Sequence, residues 1–219
     1  MSSSLRTILF DLDGTLADTA PDLAWALNEV RKEEGLPALP YETIRTEVSH
    51  GSVALTRIGF NIDKEHPDFE RLRLRLLDIY KDNLCRETRL FPGMEDVLTA
   101  IENSGMNWGV VTNKPAWLTE PLLEQMKLSQ RAACIISGDS TNNRKPHPEP
   151  MLKACQQAGS QPHECLYVGD ARRDIEAGKN AGMQTLIAMF GYIGENEQPD
   201  TWGADNIIHS ADELMKWIK

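Results

Sequence analysis

From Phe91 onward the sequence alternates between short apolar runs and amphipathic stripes, and this alternation constrains the fold more than any other feature of the chain. Residues 108–111, 134–136, 165–168, 184–189 and 207–208 read as strands, the longer ones apolar enough to be buried on both faces. Between them, Met94, Val97, Leu98 and Ile101 recur at helical spacing, as do Leu118, Leu122 and Met126. Residues 151–158 and 175–181 continue the helical series, and Ser210-Ala211-Asp212-Glu213 is a capping-box pattern that predicts a closing helix over 214–218. Strands that alternate with helices imply a mostly parallel sheet covered on both faces, with its ligand site beyond the carboxyl ends of the strands.

One long interruption precedes this series. A first strand over 7–10 runs into Asp11-Leu12-Asp13-Gly14-Thr15, a polar turn with a glycine. Leu23, Leu27 and Val30 then form a helical stripe after Pro21, stopped by Gly35-Leu36-Pro37, and Phe69, Leu72, Leu76 and Ile79 form another. No strand-like alternation separates them, so about 19–89 reads as all-helical. The expected fold class is α/β: a Rossmann-like, doubly wound parallel sheet with a small inserted all-helical cap. The expected boundaries are 1–17 and 90–219 for the core and 18–89 for the cap, with hinges near 16–19 and 88–91. A chain of 219 residues is long enough for such a core plus an insertion. A cap hinged at two linkers can admit a substrate and then exclude water from it.

Three strands end in conspicuous polar groups: Asp11 and Asp13 after the first, Thr112 and Asn113 after Val111, and Gly169-Asp170 after Val168. Lys145 and Asp174 lie on nearby connecting or helical segments. If these converge, four carboxylates share one pocket with a lysine and small hydroxyl and amide groups. Like charges a few ångströms apart in a cleft raise each other's pKa or demand a cation. Ligands that are all oxygen favour magnesium over zinc.

In order and in context, Asp11-Leu12-Asp13-Gly14-Thr15, Thr112-Asn113, Lys145-Pro146 and Gly169-Asp170 with Asp174 resemble the four motifs of the haloacid dehalogenase-like phosphohydrolases. The resemblance covers essentially the whole chain. It implies that Asp11 is the nucleophile and that Asp13 protonates the leaving alcohol and later deprotonates water. It implies Mg2+ held by the Asp11 carboxylate, the Asp13 main-chain carbonyl and Asp170, with Asp174 as a further ligand or an orienting group. The Thr112 hydroxyl, the Asn113 backbone amide and Lys145 would hold the phosphoryl oxygens. Ser49-His50-Gly51-Ser52, a polar break inside the insertion, falls where related phosphatases place a substrate-reading loop; the alternative is a plain inter-helix turn. Arg45 and Arg57 are the basic residues nearest to it.

Within the family the chain is similar to the phosphoglycolate phosphatases, through residues 111–115 and 145–150. It is more similar still to bacterial relatives acting on N-acetylmuramic acid 6-phosphate, through 108–111, Gly191-Tyr192-Ile193 and 202–205. The expected activity is that of a phosphomonoesterase on a small carboxylated phosphate ester. A sugar phosphomutase of the same superfamily and a non-catalytic phosphate-binding module are the alternatives.

Other readings bound the partners. A net charge of -10 repels nucleic-acid phosphates and anionic membranes. The apolar run 186–190 is far short of the roughly 20 residues that a spanning helix needs. Met1-Ser2-Ser3-Ser4-Leu5-Arg6 lacks a secretory pattern, so a cytoplasmic location is expected, with monomer and homodimer both open. Cys85, Cys134, Cys155 and Cys165 are too irregularly spaced for a zinc site or a disulfide framework and read as buried thiols. Arg172, Arg173 and Lys179 read as a solvated helix face.

Overall fold

Thr7-Ile8-Leu9-Phe10 forms β1 (Thr7–Phe10) in the computed structural model, which describes residues 5–218; all four residues are buried, as a central strand covered on both faces requires. The reading of Met1-Ser2-Ser3-Ser4 lies outside the described residues. After the Asp11–Thr15 turn come β2 (Ala17–Asp18), α1 (Ala20–Glu33), α2 (Tyr41–Arg45), α3 (Gly51–Phe60), α4 (Phe69–Lys81) and β3 (Arg89–Leu90). Pro21 stands in the first turn of α1 with Asp22, and Arg31 and Lys32 stand in the last, so the charges oppose the helix dipole at both ends. The helices pack through Leu23, Leu27, Val30, Leu55, Leu72 and Leu76, all buried. Gly59 lets α3 approach α1, because a Cβ there would lie 2.6 Å from Leu27 Cδ1.

The two linkers expected as hinges pair with each other. β2 and β3 form an antiparallel ribbon, with Ala17 opposite Leu90 and Asp18 opposite Arg89. Just inside it, the buried Asp22 carboxylate accepts the N–H groups of Glu87 and Thr88 and the Thr88 hydroxyl, at 2.8–3.1 Å.

The alternating half then follows as α5 (Met94–Asn103), β4 (Asn107–Val111), α6 (Ala116–Gln125), β5 (Cys134–Ile136), α7 (Glu149–Ala158), β6 (Cys165–Gly169), α8 (Arg172–Ala181), β7 (Gln184–Ala188) and β8 (Asn206–Ile208). Six strands make one sheet in the order β5-β4-β1-β6-β7-β8, every pair parallel. Side chains alternate across it. Ile8, Phe10, Val110, Leu166 and Val168 join the larger core, whereas Leu9, Val111, Ile136 and Tyr167 pack with Met151 and Ala154 of α7 on the opposite face. The chain order reverses on either side of β1, so the crevice for a ligand opens past the carboxyl ends of β4, β1 and β6.

Two readings need correction. The chain closes on a helix, but it spans Ala211–Trp217 with 3-10 geometry, and the capping box is not formed: the Ser210 side chain makes no cap bond, and Glu213 instead accepts the His209 N–H at 2.8 Å. Cys85 is only half-buried, unlike the other three cysteines, because it lies where the chain leaves α4 for the ribbon. Among the described residues no helix is long and apolar enough to cross a membrane.

Candidate active site

Asp11 follows β1 directly, and its N–H still bonds to Val168 O of β6, so the strand pairing fixes where its carboxylate begins. Asp11 Oδ1 accepts the Leu12 N–H at 2.8 Å and lies 2.8 Å from Lys145 Nζ. The same ammonium lies 2.7 Å from Asp174 Oδ1 and donates to Tyr167 OH at 2.9 Å; that hydroxyl in turn donates to Val111 O at 2.8 Å. Lys145 is thus a buried cation with an oxygen for each of its three protons. Asn113 holds it there from behind, its side-chain amide exchanging hydrogen bonds with the Lys145 backbone N–H at 3.0 Å and C=O at 3.1 Å.

Thr112 leaves β4 beside Asp11, and its hydroxyl accepts the Lys114 N–H at 3.1 Å, a turn that aims residues 112–114 into the crevice. Asp170 follows β6. Its Oδ2 accepts the Tyr192 N–H at 2.9 Å and the Ser49 hydroxyl at 2.7 Å, and its Oδ1 has only the Thr15 hydroxyl, at 3.4 Å. Gly14 makes this approach possible: at φ +84°, a Cβ would lie 2.1 Å from Asp170 Oδ2. Asp174, in the first turn of α8, accepts the Ala171 N–H at 3.0 Å through Oδ2. It serves the helix N-terminus and Lys145 at once.

Asp13 points away from this group. Its Oδ1 accepts both the Thr19 hydroxyl at 2.6 Å and Lys114 Nζ at 2.8 Å, and Lys114 also donates to Tyr80 OH of α4 at 3.0 Å. Burial works against the Lys114 charge, but Asp13 and Tyr80 outweigh it and hold the ammonium above its ordinary pKa. Burial likewise pushes Tyr80 up to about 12, against the pull of Lys114.

Asp11, Asp170 and Asp174 each offer an oxygen, all within 4.8 Å of one another. Asp11 is raised by burial and by Asp174, against the pull of Lys145 and Arg173. Asp170 is pushed up to about 7 by burial and then by Asp11 and Asp174, because its hydrogen-bond donors are neutral. Four carboxylates therefore face three cations, Lys114, Lys145 and Arg173, before any anionic substrate arrives. A divalent cation bound by carboxylate oxygens fits both the donor set and this charge imbalance. The Asp13 side chain does not belong to the trio.

A cavity of about 730 Å³ opens onto Asp11 and Asp13, lined by these two, Thr112, Asn113 and Lys114 below and by Ser49, His50, Gly51 and Ser52 above; Lys145, Asp170 and Asp174 lie behind its lining. All four loop residues therefore face the crevice, with Ser49 bonded directly to Asp170 and His50 Nε2 3.4 Å from Glu197 Oε1. The basic residues nearest the loop in sequence are engaged elsewhere. Arg45 donates to Gly191 O and Phe190 O at 3.0 and 3.1 Å, and exposed Arg57 pairs with Asp63. The cavity's arginines are instead Arg73, Arg144 and Arg173. Arg173 thus corrects the reading of a wholly solvated face: Arg172 pairs outward with Glu176, whereas the next residue, about a quarter-turn round the helix, meets the charges of Asp174, Asp11 and Asp170. Lys114 was missed as well, although a lysine between a strand end and Pro115 is a detectable signal.

Residues 8–188 match the family model described as haloacid dehalogenase-like hydrolase. An N-acetylmuramic acid 6-phosphate phosphatase from Pseudomonas putida is 42% identical over 214 residues, covering 98% of this chain and 96% of its own. A phosphoglycolate phosphatase from Xanthomonas campestris pv. campestris is 40% identical over 214 residues, covering 96% and 95%. A solved structure from Haemophilus somnus 129pt, described as a predicted phosphoglycolate phosphatase, superimposes with a TM-score of 0.87 at 28% identity, with 98% of each chain covered.

Proposed function

The chain belongs to the haloacid dehalogenase-like hydrolases and is a phosphatase of that family, and from that premise we propose that it is a Mg2+-dependent phosphomonoesterase acting through an aspartyl-phosphate on Asp11. The observation that carries this reading is the meeting, past the ends of adjacent strands, of a buried carboxylate paired with a fixed ammonium: Asp11 Oδ1 is held by Lys145 and the Leu12 N–H. That leaves Oδ2 to attack phosphorus. As the new O–P bond forms, the bond to the leaving alcohol breaks, and Asp13 supplies the proton that alcohol needs. Because Asp13 Oδ1 is occupied by Thr19 and Lys114, Oδ2 is the oxygen that carries the proton. In the second half Asp13 Oδ2 takes a proton from water, the water oxygen displaces Asp11 from phosphorus, and Asp11 is regenerated.

Lys145, the Thr112 hydroxyl and the Asn113 backbone amide cradle the phosphoryl oxygens. The Asn113 side chain supports the cradle indirectly by fixing the Lys145 backbone. Asp11, Asp170 and the Asp13 main-chain carbonyl would hold Mg2+. Asp174, whose oxygens meet Lys145 and the Ala171 N–H, orients the site from behind. The metal when bound offsets the negative charge that an anionic nucleophile and an anionic ester bring together. Residues 18–89 act as the cap, carrying Ser49–Ser52 over the crevice, and residues 1–17 and 90–219 act as the core.

The substrate is a small carboxylated phosphate ester, N-acetylmuramic acid 6-phosphate or 2-phosphoglycolate; the relatives' names and the cavity's arginines support this. The test is phosphate release from both esters with Mg2+ or with a chelator, compared as kcat/KM. Metal-dependent release is expected, abolished in Asp11→Asn. Release that persists in Asp11→Asn, or phosphate retained on a rearranged sugar, would overturn the reading.

A further inference from the structure

Beyond the phosphate cradle, the cavity has two apolar jaws that the packing of the protein does not need. α6 buries Leu118, Leu122 and Leu123, yet Trp117 in its first turn is 43% exposed. α4 buries Phe69, Leu72, Leu76, Ile79 and Tyr80, yet Leu74 is 51% exposed. Neither joins a hydrophobic core cluster, and both line the cavity that holds Asp11 and Asp13. One stands on the core side of the crevice, the other on the inserted helices. We propose that Trp117 and Leu74 clamp the ring of a phosphorylated sugar acid between them, so that they select a ring-sized leaving group over a two-carbon one.

Three observations converge on this occupant. A cavity of about 730 Å³ lies well inside the range of sites that enclose a drug-sized ligand, several times what a phosphate on a two-carbon acid fills. The C–H face of a pyranose is apolar and ring-shaped, the surface an indole covers with little loss of rotamer freedom. Two guanidinium groups border the same space. Arg73, with its side chain 24% exposed, pairs with Glu70 at 2.8 Å and turns its remaining nitrogen to Ser52 Oγ at 3.4 Å, and Arg144 is anchored on Gly138 O at 2.7 Å, so an acidic substituent on the ring has donors to meet beside the acidic Asp139. Because the jaws belong to different parts of the chain, a ring between them bridges the core and the inserted helices.

The inference rests on the phosphatase reading, and its test separates the two. For wild type, Trp117→Ala, Trp117→Phe and Leu74→Ala, kcat/KM is measured on N-acetylmuramic acid 6-phosphate and on 2-phosphoglycolate. Binding of phosphate-free N-acetylmuramic acid is followed in parallel by tryptophan fluorescence. The ratio of the two kcat/KM values is expected to fall tenfold or more in Trp117→Ala, chiefly through KM for the sugar. Trp117→Phe should restore most of it and Leu74→Ala should show a smaller fall. The sugar alone should change the fluorescence of wild type and not that of Trp117→Phe. An unchanged ratio in Trp117→Ala, or a fluorescence change that survives in Trp117→Phe, overturns the clamp. Trp117-dependent sugar binding without phosphate release would sustain the clamp and defeat the phosphatase reading instead.

Discussion

Replacing Asp170 with asparagine should stabilise the metal-free protein while destroying its response to Mg2+. Asp170 is 1% exposed, and its pKa is raised from 3.8 to about 7 by burial and by the neighbouring Asp11 and Asp174. A folded-state pKa above the unfolded value means that the native state binds the proton more tightly. The associated stability is present in full below about pH 4 and is lost as pH rises through about 7. A rise of about three units, at about 1.4 kcal/mol each, makes the ionised carboxylate cost the metal-free fold roughly 4 kcal/mol at alkaline pH. The carbonyl of the introduced amide can still accept from the Tyr192 N–H and the Ser49 hydroxyl, so the shape and the neutral bonds survive. Metal-free Asp170→Asn should therefore exceed wild type by about 2–4 kcal/mol near pH 8, and the gap should close near pH 4. Urea unfolding of both proteins at the two pH values, with chelator and with Mg2+, reads this directly, and Mg2+ should raise the midpoint of wild type alone. A variant less stable than wild type at the higher pH without metal, or a gap that ignores pH, would refute the reasoning.

Lys114→Met removes the cation shared by Asp13 and Tyr80; kcat on an alkyl phosphate should fall about 100-fold, less on p-nitrophenyl phosphate, whose leaving group hardly needs a proton. Equal losses on the two esters would count against it. Asp11→Asn should lower turnover by about 10⁴-fold or more while leaving the circular dichroism spectrum unchanged. Gly14→Ala places a Cβ against Asp170 at a positive φ and should lose about 1–3 kcal/mol in denaturant unfolding. Arg45→Ala removes a charged donor from the Phe190 and Gly191 carbonyls; faster amide exchange around 190–192 is the expected result.

The strand ends were legible because the sheet is built from local apolar runs, and a polar residue directly after such a run has one place to go. Asp11, Thr112 and Asp170 are therefore found where the pattern puts them. The arginines were harder. Arg45 and Arg57 are close to the crevice-facing loop in sequence yet are engaged elsewhere and do not line the cavity, whereas Arg73 is brought over the crevice by the packing of α4 on α1. Arg172 and Arg173 look alike in sequence, and only the direction in which α8 leaves β6 sends one to solvent and the other to the carboxylates. Trp117 was hidden for a similar reason: an aromatic residue in a helix beside leucines looks like core until the buried face is known. The closing segment shows the limit of a short motif, since Ser210 through Glu213 has the right letters but too few turns follow to favour α over 3-10 geometry.

The ribbon of β2 and β3 has an evolutionary consequence. Ala17 faces Leu90 and Asp18 faces Arg89, so the chain leaves the sheet scaffold and re-enters it at neighbouring points, about 5 Å apart across an antiparallel pair. Whatever is spliced between those points does not have to span any distance or alter the register of β1 and β4. A segment of any length whose own ends meet, down to a hairpin turn, can occupy the position. Recombination at that one junction is therefore a short route by which the inserted segment can be exchanged while the sheet and the residues at its strand ends are inherited intact.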